Sequence, residues 1–96
     1  MTTSTPVRHD AERQRYEYLV DGKVVAIADY RVDGATVVMH HTYTDPRHRG
    51  RGHASRVVAA ALDDLRARGL HVVPQCWFVA EFVATHPEYQ DLVASE

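Results

Sequence analysis

A basic segment that contains two glycines, residues 44–56, separates two halves of this chain with different hydrophobic patterns. The residues before it alternate between apolar and polar, as strands do, whereas those after it have the spacing of an amphipathic helix. Its central motif reads Arg47-His48-Arg49-Gly50-Arg51-Gly52. Any fold of this chain must therefore pass from a strand into a helix through this glycine-containing turn.

This turn has the properties of a phosphate-binding site. Glycines let the backbone curl and let another molecule approach it closely, and the helix that follows offers unpaired N–H groups and the positive end of its dipole. Positive charge is concentrated there although the net charge of the chain is −2, because four arginines lie within ten positions: Arg47, Arg49, Arg51 and Arg56. A Walker loop does not fit, because its Gly-Lys-Ser/Thr ending is absent. A dinucleotide fingerprint, which reads G-x-G-x-x-G inside a parallel βαβ unit, does not fit either.

The first half predicts an antiparallel meander. Strand patterns cover residues 16–20, 24–32 and 35–43, and two Asp-Gly pairs, at 21–22 and 33–34, supply the hairpin turns. A further strand at residues 7–10 is weakly patterned. Asp45-Pro46 ends the last of these strands, because proline cannot donate to the ladder.

The second half predicts a helix, a strand and a second helix. The first helix has one apolar stripe, formed by Ala54, Val57, Val58, Ala61, Leu62 and Leu65. Gly69 caps it, and residues 70–73 form a strand that a right-handed crossover places parallel to the preceding strand. The second helix runs from about residue 77 to 85, and a helical turn at 88–93 follows Pro87. Phe78 is expected in the wall of a cleft and Trp77 in the core, with a position beside an acceptor as the alternative for Trp77. The fold class is therefore α+β.

Size and composition indicate one small domain. The 96 residues include 45% hydrophobic and 25% charged residues, and disorder is expected only at residues 1–5. No apolar run approaches the roughly 20 residues of a membrane span, and a signal-peptide segment is absent, so we expect a cytoplasmic location without a membrane partner. Cys76 is the single cysteine, which fits a reducing compartment. The histidine spacings match no zinc motif, and no metal is expected.

The basic turn and several later motifs together resemble the GNAT N-acetyltransferase superfamily, in particular its compact single-domain Yjdj-type branch. The resemblance extends from about Tyr18 to Val93. The later motifs are Gly69-Leu70-His71-Val72-Val73-Pro74, Cys76, Phe78-Val79-Ala80 and His86-Pro87-Glu88-Tyr89. The resemblance implies a minimal GNAT fold in which the meander continues into one parallel strand, helices pack on the sheet, and the usual first helices and last two strands are absent.

The same resemblance implies an acyltransferase that transfers acetyl from acetyl-coenzyme A to a primary amine, such as a lysine or another macromolecular amine. The absent parts normally shape the acceptor side, so an open acceptor site is expected. In this superfamily the basic turn holds the diphosphate, and the pantetheine arm enters a gap that corresponds to residues 39–44 and 70–73 here. The implied coenzyme-binding residues are His41, Thr42, Tyr43, Arg47, His48, Arg49, Gly50, Arg51, Gly52, His53 and Ala54.

Two residues are candidates for catalysis, His41 and Cys76. His40 and His41 point to opposite faces of a strand unless a bulge intervenes, so only one of them can face the cleft. His41 is the preferred one, because regular alternation places it on the same face as Met39. Cys76 precedes a helix whose dipole favours thiolate, and it could act as a nucleophile or as an acid. The tyrosine that the superfamily usually places in this helix is absent from residues 81–84. A hydrogen-bonded strand histidine and a buried cysteine without chemistry remain the alternatives.

Two other functions remain open at this stage. A non-catalytic acyl-coenzyme A binding module fits the missing tyrosine and the small size. A nucleic-acid-binding domain would use the arginines, but the net charge of −2 and the absence of a basic helix disfavour it. The chain is expected to be a monomer or a weak homodimer.

Overall fold

The computed structural model describes residues 6–94, so the prediction of disorder at residues 1–5 lies outside the described residues. The elements in chain order are β1 (Val7–Asp10), β2 (Arg15–Val20), β3 (Lys23–Asp33), β4 (Thr36–Thr44), α1 (His53–Ala67), β5 (His71–Pro74) and α2 (Trp77–Ala84). Two 3-10 helical turns, Pro46–His48 and Pro87–Leu92, follow β4 and α2.

The five strands form one sheet in the order β1-β2-β3-β4-β5. All neighbours are antiparallel except β4 and β5, which are parallel and are connected by α1. The predicted α+β fold, a meander that continues into one parallel strand, is confirmed. The weakly patterned strand is present as β1. Only residues 11–14 connect it to β2, so the first helices of the GNAT fold, which the sequence predicted to be absent, have no space between these two strands.

The two hairpin turns differ in their relation to the Asp-Gly pairs. In the first turn Asp21 and Gly22 have φ values of 51° and 79°, as a type I′ turn requires. In the second, Asp33 pairs with Thr36, so the turn residues are 34 and 35 and the predicted placement was wrong by one residue. Gly34 alone has a positive φ there, 64°, which suits the first central position of a type II′ turn.

The predicted apolar stripe of α1 lies against the sheet. Val57, Val58, Ala61 and Leu62 are fully buried, and they contact a core to which α2 also contributes. Ala54, predicted in the same stripe, is only half-buried because it lies in the first turn of α1, beside the loop. α1 has 15 residues, and no helix between residues 6 and 94 has the length and apolarity to cross a membrane.

Polar contacts hold the C-terminal half of α1 in place. Tyr16 Oη on β2 donates to Asp64 Oδ2 at 2.6 Å, and Tyr89 Oη donates to Asp63 Oδ1 at 2.8 Å. The helix ends in a Schellman motif, in which Gly69 has a φ of 70°. With its far end fixed in this way, α1 holds its first turn at a defined place beside the end of β4.

Leu62→Ala tests the packing of α1 against the sheet. Because Leu62 is 0% exposed, we expect the free energy of unfolding in a urea titration to fall by about 3 kcal/mol, from lost burial and a residual cavity. The control is Val32→Ala, since Val32 is 53% exposed and its truncation should change stability by less than about 0.5 kcal/mol. Equal effects of the two substitutions would contradict this packing.

Candidate functional site

The loop between β4 and α1 is held by one aspartate and two glycines. Asp45 Oδ1 accepts the N–H of Arg47 at 2.9 Å, and the carbonyl of Asp45 accepts the N–H of His48 at 2.8 Å. Gly50 and Gly52 then take φ values of 78° and 77°, a conformation that side chains with a Cβ disfavour. The backbone thus turns twice within three residues before α1 begins.

The end of this loop presents free backbone donors. The N–H groups of Gly52, His53 and Ala54 find no acceptor within residues 6–94, as expected for the first turn of a helix. A Cβ placed on Gly50 or Gly52 would meet nothing within 4 Å, so the surface of the loop is open. Free amides and the helix dipole make this surface suitable for an anion.

A cavity of about 170 Å³ lies against the loop. β4 and α2 supply its other walls, Thr44 and Phe78, so the predicted position of Phe78 in a cleft wall agrees with the structure. The lining residues are Thr44, His48, Arg49, Gly50, Gly52, His53, Ala54, Ser55 and Phe78. The loop therefore faces a cavity and is not turned into the core.

The loop carries three arginines near this cavity, and one of them, Arg49, lines it. Arg47, Arg49 and Arg51 are exposed, and none of them forms an ion pair with another residue in the described part of the chain. Arg56 contacts Tyr18 Oη at 3.5 Å. The first three side chains are thus available to neutralise a bound anion.

Two histidines of the loop lie partly or wholly inside the protein. His53 is 8% exposed and stacks on Tyr18 with the ring centroids 4.7 Å apart, and the half-buried His48 ring lies 6.0 Å from it. The Nδ1 atoms of both rings are buried and have no hydrogen-bond partner in the described residues. Burial, Arg56 and the neighbouring His48 and Arg51 lower the pKa of His53.

β4 and β5 separate beyond Met39, where the resemblance places a gap. Their pairing covers Thr36 to Met39 on β4, and the Met39 carbonyl accepts the N–H groups of both Gln75 and Cys76, at 3.0 and 2.9 Å. From residue 41 to 44, β4 pairs with β3 but with no other strand among the described residues. One edge of β4 is therefore open beside the loop.

A bulge in β4 changes which side chains face this opening. Tyr30 pairs with Met39 and Asp29 with His41, so His40 is an extra residue in β4. His41 consequently lies on the face opposite Met39, and the parity argument that placed them together was wrong. Thr42 now shares the face of Met39, while His40 and His41 are both exposed.

Cys76 contacts Thr42 and not His41. Its Sγ lies 3.5 Å from Thr42 Oγ1, at the residue that precedes α2. Partial burial raises the pKa of the Cys76 thiol. Hydrogen bonds from the Thr42 hydroxyl and from the amides of Val79 and Phe78 lower this pKa by a larger amount, so the net pKa is below its usual value. The sequence offered no signal for this Thr42 contact because the bulge that creates it leaves no pattern.

α2 carries no hydroxyl group, since residues 77–84 read WFVAEFVA. Its buried residues are Val79, Phe82 and Val83. Trp77 was predicted in the core, but it is 74% exposed, because the buried stripe of this short helix begins at the next residues. Among residues 6–94, no three histidine, cysteine or acidic side chains come together in a group that could hold a metal ion.

Comparison with known proteins agrees with this arrangement. A family model described as "GCN5-related N-acetyl-transferase" matches residues 15–92. Protein NATD1 of Danio rerio is 30% identical over 98 residues, which cover 97% of this chain and 88% of that protein. Protein NATD1 of Bos taurus is 31% identical over 84 residues, which cover 84% of this chain and 74% of that protein.

Solved structures share the fold at low sequence identity. A GCN5-like protein from Staphylococcus aureus, solved by NMR, matches 94% of this chain and 88% of its own length with a TM-score of 0.66 and 18% identity. The ribosomal-protein-S18-alanine N-acetyltransferase of Escherichia coli matches 73% of this chain with a TM-score of 0.58 and 17% identity, and the match spans 42% of that enzyme. On the family match and the relatives together, this chain belongs to the GCN5-related N-acetyltransferase family.

Proposed function

We propose that this chain binds acetyl-coenzyme A and transfers its acetyl group to a primary amine. The observation that carries the proposal is the open glycine loop, whose free amides at Gly52, His53 and Ala54 border a cavity that leads to the unpaired edge of β4. Diphosphate matches these donors in charge and in hydrogen-bonding capacity. The exposed arginines of the loop add countercharge.

The extended arm of the coenzyme would lie along β4. The backbone of residues 40–44 is unpaired on the side of β5, and the amides of a pantetheine arm can pair with such an edge as an added strand does. His41, Thr42 and Tyr43 are the residues on this edge that the arm would meet. The thioester would then lie near Met39, where the two strands separate and where Cys76 begins the turn into α2.

Acetyl transfer needs an unprotonated amine and a protonated leaving thiol. The amine nitrogen forms a bond to the acetyl carbon, the carbon–sulfur bond breaks, and the amine proton must reach a base. Cys76 can take the acetyl group as a thioester intermediate, or it can donate its proton to the departing coenzyme A thiolate. Its lowered pKa favours ready ionisation in either role.

His41 is the proposed base, and the bulge sets a condition on that role. It lies on the face of β4 opposite Thr42, so the amine must approach from that face for its imidazole to accept the proton. Tyr43, on the same face, is 48% exposed. An accessible face of this kind suits an amine on a large molecule, such as a lysine side chain.

A non-catalytic acyl-coenzyme A binding module is the second candidate. Two observations favour it: α2 has no hydroxyl group, and His41 lies on the face of β4 opposite Thr42, the residue that Cys76 contacts. Both candidates require coenzyme A binding, so they differ only in whether acetyl leaves the coenzyme.

Gly52→Ala tests coenzyme A binding by the loop. The new Cβ disfavours the φ of 77° at a cost of about 1–2 kcal/mol and displaces the amides, so calorimetry should show coenzyme A affinity at least about tenfold weaker than in the wild type. Gly69→Ala is the matched control, because Gly69 has a φ of 70° at the other end of α1. It should lose similar stability and keep wild-type affinity.

Two outcomes would contradict this assignment. Absence of binding to the wild type at millimolar coenzyme A would exclude both candidate functions. Equal weakening by Gly52→Ala and Gly69→Ala would mean that helix stability, and not the loop amides, controls binding.

Cys76→Ala separates the enzyme from the binding module. With labelled acetyl-coenzyme A and a panel of amines, we expect the wild type to transfer label and Cys76→Ala to lower kcat/KM by about 10²-fold, the scale of one acid–base or nucleophilic group. Coenzyme A affinity, measured separately, should stay within about threefold. If no amine receives label above the buffer rate, the enzyme proposal fails while the binding module remains.

Thr42→Val tests whether the Thr42 hydroxyl controls the thiol. Loss of the contact at 3.5 Å should raise the pKa of Cys76, so the midpoint of the iodoacetamide alkylation rate against pH should move to higher pH. Thr36→Val is the matched control, because it makes the same change at the far end of β4. An unchanged midpoint in Thr42→Val would show that the contact does not control ionisation.

A further inference from the structure

The Nδ1 atoms of His48 and His53 are buried without a hydrogen-bond partner in the described residues, and both rings line the same cavity. Buried polar atoms are nearly always paired in folded proteins, so an unpaired one requires an explanation. The two histidines line one cavity beside the free loop amides, with their ring centroids 6.0 Å apart. A ligand in this cavity would lie beside both imidazole rings.

The surroundings of His53 are cationic. The groups that act on its ring or line the same cavity include Tyr18 from β2, Thr44 from β4, His48 from the 3-10 turn, Arg49 and Arg51 from the loop, Arg56 from α1 and Phe78 from α2. Four of them can carry positive charge and none is a carboxylate. The one carboxylate of the loop, Asp45, already accepts the N–H of Arg47. In the free protein a proton on His53 therefore meets repulsion and no countercharge.

We propose that a diphosphate bound in this cavity brings a proton onto His53, beside His48, so that this chain binds coenzyme A more tightly as the pH falls. The proposal rests on the proposed function, since it assumes that the loop holds the diphosphate of coenzyme A. It assigns to the His53 side chain a role that loop amides and arginines cannot perform, because neither of those groups titrates near neutral pH.

The charges explain the direction of this linkage. A diphosphate adds negative charge beside Arg51, Arg56 and the two rings, which offsets their repulsion and stabilises an imidazolium. A protonated imidazole also has two N–H donors, so it can donate to a phosphate oxygen while its other nitrogen stays protonated. The pKa in the complex is then higher than in the free protein, where burial and neighbouring cations hold that of His53 low.

The direction of the pH dependence of binding follows from the pKa of His53 in the free protein and in the complex. Between the low pKa of the free protein and the higher one of the complex, binding takes up a proton, and affinity rises as the pH falls. For one linked proton the affinity changes by at most about tenfold per pH unit. A binding site made of amides and arginines alone would show no such dependence between pH 6 and pH 8.

The probe is dephospho-coenzyme A, because it keeps the diphosphate and lacks the 3′-phosphate, whose own pKa of about 6 would confuse the measurement. Calorimetry at one pH near 7 in buffers of different ionisation enthalpy gives the number of protons taken up. For the wild type we expect between about 0.5 and 1 proton taken up per dephospho-coenzyme A bound. We also expect dephospho-coenzyme A to bind about tenfold more tightly at pH 6 than at pH 8. His53→Gln should reduce the number of protons taken up.

His9→Gln is the matched control. The pKa of His9 is also lowered, by burial and by Arg68, but His9 lies on β1 beside Tyr16 and Tyr30. Its substitution should leave the proton number unchanged. If the His53 variant does not fold, titration of ¹³C-labelled histidines in the wild type should still show the His53 pKa rising when dephospho-coenzyme A binds.

The outcomes distinguish this proposal from the function on which it rests. Binding with a buffer-independent enthalpy, or an unchanged His53 titration, overturns the proton linkage and leaves coenzyme A binding intact. The proton linkage is also overturned if His9→Gln lowers the number of protons taken up as much as His53→Gln does. Absence of dephospho-coenzyme A binding at millimolar concentration overturns both proposals.

Discussion

The site depends on one feature of the backbone: the N–H groups at the start of α1 donate to no acceptor in the described part of the chain. Gly52, His53 and Ala54 keep these donors free, and the left-handed conformations at Gly50 and Gly52 direct the chain so that they border the cavity. The helix dipole adds its positive end at the same place. Because α1 is anchored at its far end by tyrosine–aspartate hydrogen bonds, this donor surface is held in position relative to β4.

The small size of the chain has a consequence for the opposite face of the sheet. Residues 11–14 alone connect β1 to β2, so no helix can enter between these strands. On that face the strands carry charged cross-strand pairs, with Arg8 at 2.8 Å from Glu17 and Arg15 at 2.9 Å from Asp29. Charged pairs tolerate water where an apolar face would need a cover. This arrangement leaves little protein to enclose a small acceptor, which agrees with an amine carried on a large molecule.

The sequence predicted the local geometry of the glycine loop and of α1 far better than the surroundings of His41 and Cys76, and the reason is physical. The loop, the stripe of α1 and the Schellman cap are set by residues close together in the chain, so periodicity and glycine positions reveal them. The bulge at His40 is different, since it depends on how β3 and β4 pair, and one extra residue transfers His41 to the other face. The exposure of Trp77 was missed for a related reason, because two turns of helix give too little periodicity to assign a face.

The same distinction explains why Cys76 acquires its partner through tertiary structure. The helix dipole that the sequence predicts near Cys76 is a local effect, but the Thr42 hydroxyl arrives only because the bulge turns Thr42 toward the face of Met39. His53 is the converse case: its place after Gly52 is local, whereas its burial depends on Tyr18 from β2. In each case the local sequence places the reactive group, and a strand residue more than 30 positions away supplies a hydrogen-bond partner for Cys76 or a stacked ring that covers His53.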